Sequence, residues 1–103
     1  MALVTPVIGQ AVVVTTGGVA VQVFPAGIAG GFIFNGNSNA DQGISPTENL
    51  YVNPIGAFTT LEGNGTTFII YPGATWIAIP QQNTATWVNA LTSGHKFTAV
   101  YWL

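Results

Sequence analysis

Hydrophobic and polar residues alternate with a period of two along most of the chain, the pattern of half-buried β-strands. In the segment 19–24, for example, Val19, Val21 and Val23 fall on one face. No segment shows the 3.6-residue period of an amphipathic helix, and we find no internal repeat. The pattern predicts strands over residues 12–16, 19–24, 28–34, 50–52, 57–61, 66–71, 75–79, 84–90 and 96–102.

Turn-forming residues separate these runs at a spacing of roughly 8 to 12 residues, as is typical of sandwiches and barrels. We therefore predict an all-β fold, a jelly-roll-like antiparallel β-sandwich of about 8 strands. Residues 11–103 form its single domain. Residues 1–10 form an N-terminal arm or edge strand that can add to a neighbouring subunit, because Thr5-Pro6 interrupts regular pairing.

Two pairs of consecutive glycines each predict a local backbone feature. Gly17-Gly18 joins two β-rich runs and predicts a tight hairpin, because the favoured two-residue turns need positive φ. Gly30-Gly31 lies inside a predicted strand and indicates a bulge or a close backbone approach.

Several predicted strands are apolar on both faces. Ile77 and Ile79 oppose Trp76 and Ala78, and the last strand places aromatic or aliphatic residues on each side. An antiparallel sheet that faces water reads polar on that face, so these strands predict cover on both faces. A sandwich covers one face of each sheet itself, and we expect another subunit to cover the other. The apolar C-terminus likewise predicts a buried or docked end.

Charge is scarce. Charged residues make up 4% of the 103 residues, namely Lys96, Asp41, Glu48 and Glu62, where ~25% is usual. A compact monomer of this size exposes roughly 5,500 Å² of surface. Divided among four charged side chains, this is about 1,400 Å² of surface for each. That area exceeds the ~800 Å² that a standard interface buries per partner. Either neutral polar residues form the surface, or much of it is buried in an assembly; we favour the second.

The same composition excludes several classes of function. A single Lys cannot neutralise several phosphates, so nucleic-acid binding is not expected. The absence of Cys excludes a disulfide framework, a zinc ribbon and a thiol nucleophile. Gly and Pro interrupt the uncharged residues 1–40, so we expect no membrane-spanning helix. The N-terminus also lacks the basic region of a secretory signal.

Candidate catalytic residues are few. Asp41 and Glu48 can pair across the turn-rich segment 35–49, where a turn ligand is favoured over a catalytic dyad. His95 can be combined with Ser93 or Ser45 and Asp41 into a triad, but the chain has no Gly-x-Ser-x-Gly motif. A His at a strand entry, hydrogen-bonded to a neighbouring loop, is the favoured interpretation. We predict no enzymatic activity.

Metal ligands are also sparse. Asn37, Asn39 and Asp41 are candidate oxygen ligands for Ca²⁺, but the clustered acids of a helix-loop-helix site are missing. We therefore predict no metal and no cofactor.

The aromatic residues are more informative. All three Trp and all three Tyr residues fall in predicted strands, where exposed rings could stack on sugars as in a carbohydrate-binding module. Packing in the core and at subunit interfaces is favoured, because sugar sites usually add charged or amide groups beside the rings. The predicted interface residues are Leu3, Val4, Val7, Trp76, Trp87, Tyr101, Trp102 and Leu103.

The part of the chain from about Phe32 to Trp102 carries a resemblance to a known class. Its motifs are Gly31-Phe32-Ile33-Phe34-Asn35, Ala40-Asp41-Gln42-Gly43, Glu48-Asn49-Leu50-Tyr51-Val52, Gly63-Asn64-Gly65-Thr66-Thr67, Tyr71-Pro72-Gly73 and Ser93-Gly94-His95-Lys96-Phe97-Thr98-Ala99-Val100. In their succession they resemble the small, cysteine-free structural proteins in the virions of tailed bacteriophages. That resemblance implies a β-sandwich that decorates the capsid, often as a trimer, without enzymatic activity.

The residues and the resemblance lead to one expectation. We expect a virion structural protein, a capsid decoration or cement protein that binds the major capsid protein on the outside of the head as a homo-oligomer, with a trimer favoured. Such a protein is made in the host cytoplasm and then joins the virion. The alternative is a tail-fibre, receptor-binding or carbohydrate-binding β-sandwich module.

Overall fold

A computed structural model describes residues 3–36, 48–57, 61 and 65–103. These residues form an all-β structure with three antiparallel sheets, which confirms the predicted fold class. The strands are β1 (Val7–Ile8), β2 (Val13–Val14), β3 (Val21–Phe24), β4 (Gly30–Phe34), β5 (Leu50–Asn53), β6 (Phe68–Ile70), β7 (Thr75–Ile77), β8 (Thr86–Asn89), β9 (His95–Lys96) and β10 (Thr98–Trp102).

Two four-stranded sheets make up the sandwich. The front sheet has the strand order β1-β10-β4-β7, and the back sheet has the order β3-β8-β5-β6. β2 and β9 form a separate two-stranded sheet. Phe24 of the back sheet and Tyr101 of the front sheet pack ring against ring, with centroids 5.6 Å apart, so the two sheets face each other across the core.

The core follows from the alternation of residues along the strands. Ile33 and Ala99 are buried between the sheets, whereas their strand neighbours Phe32 and Val100 are only partly buried. The buried apolar residues are Val14, Val23, Phe24, Ile28, Ile33, Leu50, Val52, Ile70, Ala78, Val88, Ala90, Phe97 and Ala99. The predicted two-sided pattern of β7 is confirmed, because Ala78 is buried and Trp76 packs on the core, while Ile77 and Ile79 are exposed.

The predicted hairpin at Gly17-Gly18 is wrong. A turn does form, with Val19 N donating to Thr16 O, but β2 pairs with β9 and β3 pairs with β8. Gly18 is the second central residue of that turn and has φ 84°. Two-residue hairpins need positive φ at the first central position, so this turn splays the flanking strands into different sheets.

The close approach predicted at Gly30-Gly31 is confirmed. A Cβ at Gly30 would lie 2.6 Å from Cζ2 of Trp102, its cross-strand partner, so the indole rests directly on the glycine backbone. The register of β4 against β10 is continuous, so no bulge accompanies it. Residues 58–60 of the predicted strand over 57–61, and residues 37–47 of the segment 35–49, lie outside the described residues.

Candidate interaction surface

The register of the front sheet sets one row of apolar side chains across all four strands. Ile8 pairs with Val100, Val100 with Phe32, and Phe32 with Ile77. Because Ala99 and Ile33 point into the core, this row points away from it. The face that we call the outer apolar face consists of Ile8, Phe32, Phe34, Thr75, Ile77, Thr98, Val100 and Trp102.

The outer apolar face is shallowly concave. A depression of about 450 Å³ lies over β4, β7 and β10. It is lined by Gly31, Phe32, Phe34, Thr75, Ile77, Thr98 and Trp102. The lining has no charged side chain and only two hydroxyl groups, so the depression suits an apolar partner surface.

The two charged residues that the structure describes, Lys96 and Glu48, do not lie on this face. No strand of the front sheet contains a charged residue. Lys96 is exposed on β9 in the two-stranded sheet, and Glu48 belongs to the polar cluster described below. Asp41 and Glu62 lie outside the described residues.

The predicted interface residues divide into two groups. Leu3, Val4, Val7 and Leu103 are exposed, by 94%, 56%, 40% and 76% respectively. These four side chains are therefore uncovered by the described part of the chain. Whether a partner covers them stays a prediction.

The aromatic members of that set lie on different faces. Trp102 belongs to the outer apolar face, and Trp87 lies half-buried on the outer side of the back sheet. Trp76 and Tyr101 instead pack against the core from inside the sandwich. The alternation along β7 and β10 signals this difference, since Ala78 and Ala99 share the inward side.

A second exposed apolar area lies at the β6 side of the sandwich. Phe68 and Ile79 are exposed by 51% and 65% and, with Ile55, line a depression of about 240 Å³. Gln82 lies buried at its base, where Nε2 donates to Pro54 O and to Thr86 Oγ1.

The outer side of the back sheet is more polar. Tyr51 and Trp87 lie on adjacent strands as diagonal neighbours, because Tyr51 pairs with Asn89 and Trp87 with Asn53. Asn53 Nδ2 donates to Thr66 Oγ1 and its Oδ1 accepts from Ile55 N. Asn89 Oδ1 accepts from Ala90 N. These amide groups therefore hold turns and neighbouring backbone in place beside the rings.

A polar cluster, buried around Asn35 and His95 and exposed at Thr92, joins distant parts of the chain. Asn35, at the end of β4, donates from Nδ2 to Glu48 O at 3.0 Å and to Ile70 O at 2.9 Å. Both carboxylate oxygens of Glu48 accept from Thr92, one from its backbone N and one from its hydroxyl. His95, the first residue of β9, is fully buried, and its Nε2 lies 2.9 Å from Asn35 Oδ1.

The contacts of Asn35 fix the protonation of the imidazole. Because the Asn35 amide nitrogen faces two carbonyls, its Oδ1 must accept, so Nε2 of His95 carries hydrogen and donates. Nδ1 lies 3.5 Å from Glu48 Oε1, too far for a well-formed hydrogen bond, and has no other partner among residues 3–36, 48–57, 61 and 65–103. Burial lowers the pKa of His95 below 6.5, and the carboxylate of Glu48 opposes this shift.

The cluster has the geometry of a structural clamp. It joins the residues on either side of the segment 37–47, because Asn35 precedes this segment and Glu48 follows it. The predicted position of His95, at a strand entry and hydrogen-bonded to a neighbouring segment, is confirmed. Ser93 Oγ accepts from Gly17 N, and neither ring nitrogen of His95 is bonded to Ser93: Nε2 pairs with Asn35, and Nδ1 has no hydrogen-bond partner among the described residues. The partners Asn35 and Thr92 were not predicted, because no local pattern marks a contact between residues so distant in sequence.

No group of three or more metal-ligating side chains occurs among the described residues. The same part of the chain contains no helix long and apolar enough to cross a membrane. The predicted oxygen ligands Asn37, Asn39 and Asp41 lie outside it. Comparison with protein-family models, curated proteins and solved structures finds no match.

Proposed function

We propose that this protein is a non-enzymatic virion structural protein of a tailed bacteriophage, a capsid decoration or cement protein that binds the outside of the head. It acts as a homo-oligomer, with a trimer as the expected size, and the major capsid protein is its partner. It is made in the host cytoplasm and resides on the virion surface.

The outer apolar face carries this proposal. Its row of Ile8, Val100, Phe32 and Ile77 spans a whole sheet that contains no charged residue. Apolar patches of such extent on small domains mark interaction surfaces. A standard interface buries ~800 Å² per partner, and burial contributes about 25 cal/mol of binding free energy for each Å² of apolar surface. After the cost of association is subtracted, the net binding free energy is on the order of several kcal/mol per copy. Many copies together can then brace a shell against internal pressure.

Head binding tests the proposal directly. Empty heads assembled from the tailed-phage major capsid protein of the same genome are mixed with the purified protein and sedimented. We expect saturable binding and a higher thermal transition of the heads. Thr98→Asp places a charge on the outer apolar face at an exposed position and should weaken binding, whereas Thr15→Asp adds the same charge at an exposed position outside the front sheet. Heads that bind no protein, or bind Thr98→Asp as well as the unaltered chain, would contradict the proposal.

A receptor-binding or carbohydrate-binding module is the second candidate. The diagonal pair Tyr51 and Trp87 on the outer side of the back sheet favours it, because adjacent rings can stack on a sugar. The amides beside them are engaged in internal hydrogen bonds, which weakens this candidate. Specific binding on a glycan array that is lost in Trp87→Ala, together with no binding to heads, would replace the first candidate by the second.

A further inference from the structure

Asn35 is followed by Gly36, a dipeptide that is chemically labile. The backbone nitrogen of the residue after an Asn can attack the side-chain carbonyl carbon Cγ, and Gly hinders this attack least because it has no side chain. Gly36 N loses its proton to a base in the solvent and bonds to Cγ, while the bond between Cγ and Nδ2 breaks. Nδ2 takes up a proton and leaves as ammonia. Water then opens the resulting succinimide ring to aspartate or isoaspartate, so water is the co-reactant.

The native fold fixes the backbone of Asn35. Its N donates to Ala74 O at 3.0 Å, and its O accepts from Gly73 N. The ring forms when Gly36 N swings toward Cγ by rotation about the Cα–C bond of Asn35, and that rotation carries Asn35 O with it. The bond from Gly73 therefore resists the movement that closes the ring.

The side chain of Asn35 is also fixed. Nδ2, the leaving group, donates to Glu48 O and to Ile70 O, and Oδ1 accepts from Nε2 of His95. Carbonyl oxygens cannot donate a proton, so neither acceptor of Nδ2 can protonate it for departure as ammonia. Asn35 is fully buried, which keeps bulk water from the reacting carbonyl. The reaction therefore has to wait until the polar cluster opens.

The products no longer fit the polar cluster. Aspartate at position 35 replaces the Nδ2 donor by an oxygen, which faces the carbonyl oxygens of Glu48 and Ile70 without a proton to share. The bond to Ile70 O is buried, so this oxygen loses its partner, and a new charge is placed in a buried site. Isoaspartate also adds a methylene group to the main chain, next to the backbone bonds with Gly73 and Ala74.

We propose that Asn35-Gly36 is a deamidation site that the native fold protects and that opening of the polar cluster exposes. Conversion in an open molecule prevents the cluster from reforming, so a transient opening becomes an irreversible loss of that copy. When the cluster opens and closes faster than Gly36 N attacks, the rate follows the population of the open form. The inference goes beyond the proposed function and does not rest on it.

Deamidation of the purified protein at mildly alkaline pH, followed by peptide mass mapping, tests the inference. In guanidinium chloride above the unfolding midpoint, Asn35 and Asn64 should react at similar rates, because each precedes a Gly. Gly36→Ala should slow the reaction at Asn35 in denaturant and leave Asn64 unchanged. In native buffer the reaction at Asn35 should be at least about a hundredfold slower than in denaturant, since packed regions open rarely.

A matched pair of threonine variants tests whether the polar cluster provides the protection. Thr92 binds both carboxylate oxygens of Glu48, so Thr92→Ala should raise the native rate at Asn35 and leave the rate in denaturant unchanged. Thr5→Ala changes an exposed threonine of the arm and should alter neither rate. Asn35→Asp reproduces one product and should lower the urea midpoint or abolish cooperative unfolding.

Each of the opposite results overturns the inference. A native rate equal to that in denaturant shows that the fold gives no protection, and a faster native rate shows that the bond from His95 promotes the attack. Reaction at Asn64 but not at Asn35 in denaturant removes the site. A native rate that Thr92→Ala does not raise places the protection elsewhere, and an unchanged urea midpoint for Asn35→Asp contradicts the irreversible loss. All of these measurements use the protein without heads, so none of them bears on the proposed function.

Discussion

Replacing Asn35 by Ala is expected to destabilise the fold severely. The amide makes three contacts, to Glu48 O, to Ile70 O and to His95 Nε2, at 2.9 to 3.0 Å. The bonds to Ile70 O and His95 Nε2 are buried, and each partner left unpaired costs about 1–3 kcal/mol. Glu48 O is part-buried and can regain water. The expected loss is therefore about 2–6 kcal/mol of the roughly 5–15 kcal/mol that stabilises a typical domain.

Urea unfolding followed by tryptophan fluorescence measures this loss as a fall in the midpoint at constant slope. In thermal unfolding, each kcal/mol should lower Tm by roughly 4–8 °C for a domain of this size. Asn83→Ala is the matched control, because Asn83 is exposed and such surface changes stay within about 0.5 kcal/mol. A loss for Asn35→Ala no larger than that of Asn83→Ala would refute the view that this cluster stabilises the fold.

Three further predictions follow from named contacts. Because burial lowers the pKa of His95 below 6.5, the unfolded chain binds the proton first as pH falls. Stability should therefore decrease from about pH 6.5 down to the folded-state pKa and then level off. Since His95 is the single histidine, its proton NMR titration reports this pKa directly, and a midpoint at or above 6.5 would contradict the prediction. Glu48→Gln removes the charge that raises the pKa of His95, so the same titration should shift to still lower pH; an upward shift would show that another group governs it. Gly30→Ala should destabilise by roughly 1–3 kcal/mol and alter the fluorescence of Trp102, because the new Cβ would lie 2.6 Å from its ring. Gly56→Ala meets nothing within 4 Å and should be near neutral, so equal urea midpoints for the two variants would argue against the contact.

Hydrogen-bond partners across the sandwich could not be predicted from sequence. Asn35 and His95 are 60 residues apart, and Glu48 and Thr92 are 44 residues apart. No local sequence feature of either pair requires the contact. It forms only when the folded sandwich brings β4, β5 and β9, which belong to three different sheets, close together. Glu48 and His95 could be singled out as rare titratable residues, but Asn35 and Thr92 are ordinary members of an Asn- and Thr-rich chain.

The sequence by itself determined the all-β class and, in strands of regular register, the side of the strand on which a residue lies; in β3 a register shift between Gln22 and Phe24 places Val23 and Phe24 both in the core. Both depend on the two-residue period, which is a local property of the backbone. It therefore predicted that Ile77 and Ile79 oppose Trp76 and Ala78. Tertiary structure alone decided which strands pair. The turn at Gly17-Gly18 joins two sheets rather than two paired strands, because pairing depends on long-range packing as well as turn residues. The same packing aligned Ile8 with Ile77 through two intervening strands of the front sheet.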